Sequence, residues 1–329
     1  MKKYITLFCA LVLMLGLGGC SQEEEPVTKA NFLLDTYVQI SLYDDSDISV
    51  IDLAFQEITR LEDLLSVNRE GSELDRLAKA AGKEWVEISP ETQEVLLLAK
   101  EYADLSGGLF DVTSGPLIDL WDINGEGHYP TQDELDAVLP LISSEDLLIE
   151  DGRAFLAREG MEANLGAIAK GYIADKVKEL LLDQGVESAI IDLGRNVLLI
   201  GDKPDGSNVN VGVQDPNQEQ GVLLGLVSTA DTSVVTSGIN ERYFTYEGVD
   251  YHHILDPFTG FPADNDLASV TILSSTSAQG DALSTTCLLL GTEKGMELIE
   301  SLEGVEAFFI TKDGTTTMSP GFEAIYTAY

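Results

Sequence analysis

The sequence predicts an α+β fold, built as one large domain or as two lobes with a sizeable core. Short segments typical of β-strands are interspersed along the 329 residues with a few longer segments whose apolar residues recur at helical spacing. Glycine, asparagine and aspartate separate many of the short segments, as turns require. Periodicity alone does not choose among the known α+β folds.

The first third of the expected folded region predicts one strand and two helices. Residues 31–43 alternate apolar and polar side chains well enough for a strand. Apolar residues between Ile51 and Leu65 follow helical spacing, which predicts an amphipathic helix with one face in the core. Ser89, followed by a proline, is typical of a helix start, and the glycine pair at 107–108 would end that second helix.

The segment that follows, residues 107–121, allows two interpretations. The glycine pair, the apolar residues and Asp111 are typical of a loop lying against a flat ligand. Alternatively, the glycine pair is a helix C-cap, and Phe110 and Trp121 belong to the core.

Residues 164–175 predict a phosphate-binding turn that opens directly into a helix. Gly166 permits a close turn, and the apolar residues of the next two turns recur at helical spacing until Gly185. The unpaired N–H groups of a helix start stabilise an anion, and Lys170 adds a positive charge one turn in. The alternative is an ordinary glycine turn with a solvated lysine.

The remainder of the chain predicts a series of short strands and then two helices. The predicted strands and hairpins cover residues 189–201, 209–213, 222–228, 233–236, 241–255 around Gly248, 268–274 and 305–311 with a turn at Gly314. The predicted helices cover residues 278–290 and about 293–303.

Asp281 and Thr285 are four residues apart on a predicted helix, and Ser284 lies beside them. The first two side chains therefore share a helix face, where they offer a carboxylate and a hydroxyl oxygen. This combination suits Mg²⁺, which takes one or two carboxylates and completes its shell with other oxygens. Alternatively, Asp281 is a charge favoured by the helix dipole. Zinc is a poor candidate because the chain has three histidines and no His/Cys cluster.

The net charge of −38 excludes nucleic acid as a partner, because phosphate backbones need clustered lysine and arginine. Bare anionic membrane is equally disfavoured.

The N-terminus predicts a lipoprotein signal peptide over residues 1–19, with two lysines, an apolar run and the sequence LGGC ending at Cys20. We expect lipid on the Cys20 thiol, an acidic tether over residues 20–30, and the catalytic domain over 31–329. The chain would then be extracytoplasmic and would reach the membrane only through its lipid. The alternative is a plain secreted protein. Cys287, in an apolar run, is expected to be a buried small hydrophobe.

Taken together, six short segments resemble the ordered motifs of the ApbE family of FAD:protein FMN transferases. They are GGLFD at 107–111, GPL at 115–117, LGAIAKG at 165–171, DLGRN at 192–196, HILDPFTG at 253–260 and DALST at 281–285. The resemblance extends from about residue 31 to the C-terminus.

The resemblance implies an α+β fold with two lobes around mixed, mostly antiparallel sheets and the active site between them. It also implies Mg²⁺-dependent transfer of FMN from FAD to a threonine or serine hydroxyl of a redox protein, with release of AMP. The partners would be flavoproteins of membrane or extracellular electron transfer. Their acceptor hydroxyl would lie in a motif like Asp-Gly…Ser/Thr-Gly-Ala-Thr.

The resemblance further assigns residues to the cofactor and the metal. FAD would be contacted by Leu34, Asn68, Leu109, Phe110, Asp111, Asn164, Lys170 and Leu255. Mg²⁺ would be held by the backbone oxygen of Ala167, by Asp281 and by Thr285, with Ser284 nearby. Lys170 would stabilise charge on the phosphoryl oxygens, and His253 is either a general base or a structural histidine at a strand end.

Two positions depart from the family pattern. Asn68 stands where the family often has a tyrosine that can stack on the cofactor, and Asn164 stands where an aspartate is common. Attack by water in place of a protein hydroxyl would make the protein an FAD pyrophosphatase. A third possibility is a non-catalytic lipoprotein that binds flavin.

Overall fold

The computed structural model describes residues 25–329, so the predicted signal peptide and Cys20 lie outside the described residues. Numbered in chain order, the strands are β1 Val27–Leu33, β2 Thr36–Leu42, β3 Val86–Glu87, β4 Leu147–Glu150, β5 Arg153–Leu156, β6 Ala189–Asp192, β7 Asn196–Ile200, β8 Val209–Gln214, β9 Leu223–Thr229, β10 Ser233–Gly238, β11 Tyr243–Tyr246, β12 Val249–His252, β13 Leu267–Ser274, β14 Glu306–Thr311, β15 Thr316–Met318 and β16 Tyr326–Ala328. The helices are α1 Ser49–Leu65, α2 Glu73–Ala80, α3 Pro90–Leu105, α4 Gly115–Trp121, α5 Gln132–Val138, α6 Ala169–Asp183, α7 Ser277–Leu290, α8 Thr292–Glu300 and α9 Pro320–Ile325.

The fold is organised around an eight-stranded sheet of order β1-β2-β6-β7-β10-β13-β14-β15. Every neighbouring pair in this sheet is antiparallel. Smaller sheets join β3, β5 and β4, and β16, β9 and β8, while β11 and β12 form a separate hairpin. The prediction of an α+β fold with mostly antiparallel sheets is therefore confirmed.

Three groups of buried apolar side chains hold the elements together. The largest group joins the central sheet to α1, α3, α6 and α7. A second, smaller group lies between β8, β9, β14 and α9. The third is aromatic and surrounds Trp121, whose indole N–H donates to the Gly260 carbonyl at 2.7 Å. Because a buried indole N–H needs an acceptor, this bond fixes the 253–260 segment against α4.

Helix α7 is the most deeply buried helix of the central core. Its polar residues Asp281, Ser284 and Thr286 are buried along with its apolar ones. Cys287 is also buried, and this burial raises the pKa of its thiol to about 12. The prediction that Cys287 behaves as a small hydrophobe is confirmed.

Several helix boundaries follow the capping signals of the sequence. The Ser89 hydroxyl accepts the Thr92 N–H at 3.2 Å, and proline occupies the first turn of α3 as predicted. Gly291 ends α7 with φ of 81°, a conformation that disfavours side chains.

The predicted single strand over residues 31–43 is wrong, because these residues belong to a hairpin of β1 and β2. Leu34 and Asp35 turn the chain with φ of 54° and 55°, the positive values that a two-residue type I′ turn requires. Strand β1 begins at Val27, four residues before the expected start of the folded region. Helix α2, capped by the Ser72 hydroxyl, was not predicted.

Within residues 25–329, no helix combines the length and the apolar character needed to cross a membrane.

Candidate active site

The floor of the site is the contact between the start of α6 and the start of α7. Gly171 makes this contact possible, because a Cβ at this position would lie 2.2 Å from the Ser277 carbonyl oxygen. Asp175 ties the same two helices together by accepting the N–H groups of Ser277 at 2.7 Å and Ala278 at 2.9 Å. Burial raises the pKa of Asp175 to about 6, although these two hydrogen bonds oppose the shift.

Asp281 lies where the two helices meet. Its Oδ2 accepts the Gly171 N–H at 2.9 Å, and no hydrogen bond within residues 25–329 reaches its Oδ1. Burial raises the pKa of Asp281, while the Lys170 charge and the Gly171 N–H oppose that shift. A deeply buried carboxylate with an unused oxygen is costly unless a cation or a donor approaches it.

A cavity of about 310 Å³ opens over this floor. It lies where the main core meets the aromatic group, with Ile173 from the first and Leu255 from the second in its wall. It is lined by all eight residues expected to contact FAD: Leu34, Asn68, Leu109, Phe110, Asp111, Asn164, Lys170 and Leu255. The expected metal ligands Ala167, Asp281 and Thr285 line it as well, as does His253.

Ser284 is placed differently from the other predicted metal ligands. It does not line the cavity but lies buried behind its wall, where its hydroxyl shares a 2.8 Å hydrogen bond with that of Ser237. The same hydroxyl lies 2.9 Å from the Asp281 carbonyl oxygen, to which it can donate. Ser284 therefore supports the turn of α7 that carries Asp281.

The donor set fits Mg²⁺ better than a soft metal. In the part of the chain that the structure describes, no three His, Cys, Asp or Glu side chains come together as a metal cluster would require. The candidate site instead offers the carboxylate of Asp281, the hydroxyl of Thr285 and backbone oxygen at Ala167. Hard oxygen ligands with few carboxylates are the ones that Mg²⁺ uses beside a phosphate.

The predicted phosphate-binding turn at the start of α6 offers fewer free N–H groups than expected. The Ala169 N–H donates to the Leu165 carbonyl at 2.8 Å, and the Gly171 N–H is taken by Asp281. The Lys170 N–H has no hydrogen-bond partner among residues 25–329, and the Lys170 side chain is half-buried at the cavity. Anion stabilisation here therefore rests on Lys170, with its full charge, and on the helix dipole.

Asn164 and Asp111 use their side chains to shape the cavity wall. Asn164 Oδ1 accepts the Gly166 N–H at 2.9 Å, which holds the turn before α6. Asp111 accepts the N–H groups of Thr113 and Ser144, both at 2.8 Å. Both interpretations of residues 107–121 are thus partly right, since the glycine pair caps α3 and the following loop lines the cavity.

The two adjacent histidines have different surroundings. His252 is buried and bonded on both nitrogens, with Nε2–H donating to the Ala263 carbonyl and Nδ1 accepting the Ile254 N–H. His253 lines the cavity, and its Nδ1 lies 3.1 Å from the Arg242 carbonyl oxygen. A carbonyl oxygen only accepts, so Nδ1 carries the hydrogen and Nε2 of neutral His253 holds a lone pair.

The charge state of His253 follows from its surroundings. Burial lowers the pKa of His253, and the positive charges of Arg242 and Lys170 lower it further. The ring is therefore neutral at pH 7 and able to accept a proton.

Several charged cavity residues were missed by the sequence reasoning. They are Asp35, Glu62, Glu241 and Arg242. Glu62 comes directly after Leu61, which lies on the predicted core face of α1, so the sequence predicts a solvated side chain at position 62. Glu241 and Arg242 are the first two residues of the hairpin predicted over residues 241–255, where charged residues are common and give no signal of a site.

Comparison with known proteins identifies the class of this site. A FAD:protein FMN transferase of Klebsiella pneumoniae is 38% identical over 290 residues, which cover 87% of this chain and 90% of the relative. A FAD:protein FMN transferase of Treponema pallidum is 35% identical, with 96% of this chain and 92% of the relative covered. The predicted enzyme class, a transferase, is confirmed by these relatives.

Comparison with solved structures agrees with the comparison of sequences. The structure of the ApbE protein of Thermotoga maritima superposes with a TM-score of 0.85 at 28% identity, covering 92% of this chain and 99% of that one. The flavin transferase ApbE of Vibrio cholerae gives a TM-score of 0.83, also at 28% identity, covering 92% and 99% of the two chains. The model of the ApbE family matches residues 34–309. The chain belongs to the ApbE family, as its motifs predicted.

Proposed function

We propose that this chain transfers FMN from FAD to a threonine or serine hydroxyl of a redox protein and releases AMP. The observation that carries the proposal is the meeting of Lys170, Asp281, Thr285 and His253 in one cavity. Support for the flavin substrate comes from relatives named FAD:protein FMN transferase that share most of the chain.

Mg²⁺ would be held by Asp281, Thr285 and the backbone oxygen of Ala167. The unused Oδ1 of Asp281 is the clearest sign that the wall is built for a cation. When bound, Mg²⁺ supplies positive charge that stabilises the phosphoryl oxygens during transfer. The Gly171 N–H keeps the carboxylate oriented, because Oδ2 is fixed and Oδ1 remains available.

The chain's own residues would do the remaining work. Lys170 would neutralise the pyrophosphate, and it lies close enough to Asp281 to influence the pKa of that carboxyl. The acceptor oxygen would form a bond to the phosphorus of the FMN half as the bond to the AMP oxygen breaks. The hydroxyl proton would pass to Nε2 of His253, which is free to accept it.

The location of the protein is part of the proposal. A lipid on Cys20 would hold the enzyme at the extracytoplasmic face of the cell membrane, with residues 21–26 as the link to β1. Its acceptors would be flavoproteins of membrane or extracellular electron transfer. Intact-mass measurement of the mature protein tests this point, because a Cys20→Ala variant should lose the lipid mass and leave the membrane fraction.

The test of the reaction is mass spectrometry on an acceptor protein incubated with the purified enzyme, FAD and MgCl₂. We expect the acceptor to gain one FMN with stoichiometric AMP, and EDTA to abolish the gain. Asp281→Asn should lose most turnover. Asp231→Asn is the matched control, since Asp231 pairs with Lys178 at 2.7 Å and does not line the cavity.

Other outcomes would reassign the protein. FMN and AMP accumulating beside an unmodified acceptor would identify an FAD pyrophosphatase. FAD bound tightly but left intact would identify a flavin-binding lipoprotein.

A further inference from the structure

A carboxylate that no motif singles out lies in the cavity wall. Glu241 lines the cavity, and its Oε1 accepts from the Arg195 guanidinium at 3.2 Å. Both side chains are partly buried, at 22% exposure for Glu241 and 31% for Arg195. Arg195 itself does not line the cavity, so it reaches Glu241 from behind the wall.

The backbone that carries Arg195 is in an unfavourable conformation. Gly194 and Arg195 form the two-residue turn between β6 and β7, with φ of 71° and 69°. Such turns favour Asn-Gly, Asp-Gly or Gly-Gly, and an arginine in the second position has to adopt the left-handed region. The Arg195 carbonyl accepts the Thr236 N–H at 3.0 Å, which fixes the turn against β10.

Charge explains why the arginine is useful there. Two other acidic groups of the wall are already engaged: Glu62 pairs with Arg69 at 3.1 Å, and Asp111 accepts two backbone N–H groups. Glu241 is close enough that its charge raises the pKa of Asp281. Without a cation beside it, Glu241 would repel the phosphates of a dinucleotide.

We propose that Glu241 accepts a hydrogen bond from a hydroxyl or N–H group of the bound dinucleotide, and that Arg195 positions and neutralises it. This inference rests on the proposed function, in which the cavity takes FAD. A carboxylate can only accept at neutral pH, so the group it binds must be a donor such as a sugar hydroxyl and not a phosphate oxygen. Arg195 is a positioning residue, because it acts through Glu241.

Two probes separate the roles of the two residues. FAD carries hydroxyl and N–H donors and phosphates, whereas inorganic pyrophosphate carries the phosphates alone. Dissociation constants for both would be measured with the full chain in buffer containing MgCl₂, by flavin fluorescence for FAD and by calorimetry for pyrophosphate. The proteins would be wild type, Glu241→Gln, Arg195→Gly, Arg195→Lys and the Arg195→Gly/Glu241→Gln double variant.

The expected results have opposite signs for the two probes. Glu241→Gln should weaken FAD roughly tenfold, since hydrogen bonds to charged groups are the stronger class, and should strengthen pyrophosphate. Arg195→Gly should weaken both probes, and the added Glu241→Gln change should restore pyrophosphate binding. Arg195→Lys should retain most of the affinity, because the positive charge remains.

A matched control comes from a second left-handed residue in an ion pair. Asp231 has φ of 45° and pairs with Lys178 away from the cavity, so Asp231→Gly should leave both dissociation constants unchanged.

Unchanged FAD affinity in Glu241→Gln would overturn the inference. A loss of pyrophosphate affinity in Arg195→Gly that the added Glu241→Gln change does not restore would also overturn it, since that pattern indicates general damage to the fold. Wild-type protein that binds no FAD would refute the proposed function instead, and the pyrophosphate measurements would still decide whether Arg195 offsets the charge of Glu241.

Discussion

Replacing Gly171 by alanine tests whether the close contact of α6 and α7 builds the site. The new Cβ would lie 2.2 Å from the Ser277 oxygen, 2.4 Å from the Ser277 carbonyl carbon and 2.6 Å from the Ala278 nitrogen. Ordinary van der Waals contact begins at 3.4 Å, so the helices have to separate by about 1 Å. All three obstacles are backbone atoms, which cannot rotate away as a side chain could.

The size of the effect follows from two opposing contributions. Overpacking a core costs about 1–3 kcal/mol, and the upper end applies because backbone is displaced. Alanine is favoured over glycine within a helix by about 1 kcal/mol, which offsets part of that cost. We expect a net loss of about 2 kcal/mol of unfolding free energy, or a fall of roughly 4–8 °C in Tm.

Activity should fall further than stability suggests. The Gly171 N–H holds Oδ2 of Asp281 at 2.9 Å, and a shift of about 1 Å would break that bond. We therefore expect a loss of at least tenfold in kcat/KM for FMN transfer, measured at a temperature where both proteins are folded.

Gly295→Ala is the matched control for this experiment. Its new Cβ would meet the Phe309 ring at 3.0 Å and 3.2 Å and the Cys287 Cβ at 3.3 Å, contacts that a shift of a few tenths of an ångström relieves. Gly295 lies in α8, away from the cavity. This variant should keep its Tm within about 2 °C, since a mild overpacking is offset by the helix preference of alanine. A Gly171→Ala protein as stable and as active as wild type would refute the reasoning.

Three further predictions concern stability. Replacing Leu34-Asp35 by Asn-Gly relieves two left-handed residues and should raise the free energy of unfolding by about 1–2 kcal/mol, and Tm with it. The same change should weaken FAD binding because Leu34 lines the cavity; an unchanged Tm would contradict the prediction. Burial, with the charges of Asp119 and Asp75, raises the pKa of Glu162 to about 7. The contribution of protonated Glu162 to the free energy of unfolding is therefore complete below pH 4.5 and is lost as pH rises through 7. In denaturant titrations, the stability of Glu162→Gln should increase relative to that of wild type between pH 5 and 8. Burial lowers the pKa of His252 to about 4, so the contribution of neutral His252 to the free energy of unfolding is present above pH 6.5 and is lost as pH falls toward 4. In the same titrations, His252→Gln should lose less stability than wild type over that pH range.

Helix ends and the long helices could be predicted because their signals are local. Ser89 with its following proline and Gly291 each report a boundary through their own chemistry, and α1 shows its buried face in its periodicity. The hairpin of β1 and β2 could not be predicted in the same way. Leu34-Asp35 lacks the glycine or asparagine that marks such a turn, so the strand pattern continues through it.

In the candidate site, too, some features could be predicted from the sequence and others could not. The site residues were predicted because short ordered segments carried the resemblance, and every predicted FAD contact and metal ligand except Ser284 lines the cavity. The pairing of Arg195 with Glu241 spans 46 residues and exists only because β7 lies beside β10. No local pattern reports a contact of that kind. The free N–H groups expected at the start of α6 were overestimated for the same reason, since one of them is taken by Asp281 from a distant helix.

Two turns whose residues break the usual turn preferences lie at the cavity. Among residues 25–329, seven non-glycine residues have positive φ, and five of them are Asp or Glu. The other two are Leu34, which lines the cavity, and Arg195, which contacts a cavity carboxylate. By contrast, the turns at 151–152 and 247–248 place glycine second and lie away from the cavity. Backbone strain persists where the surrounding structure enforces it, and it is most often kept at functional sites. The two strained turns thus lie at the same cavity as the motifs, and they are recognised by backbone conformation.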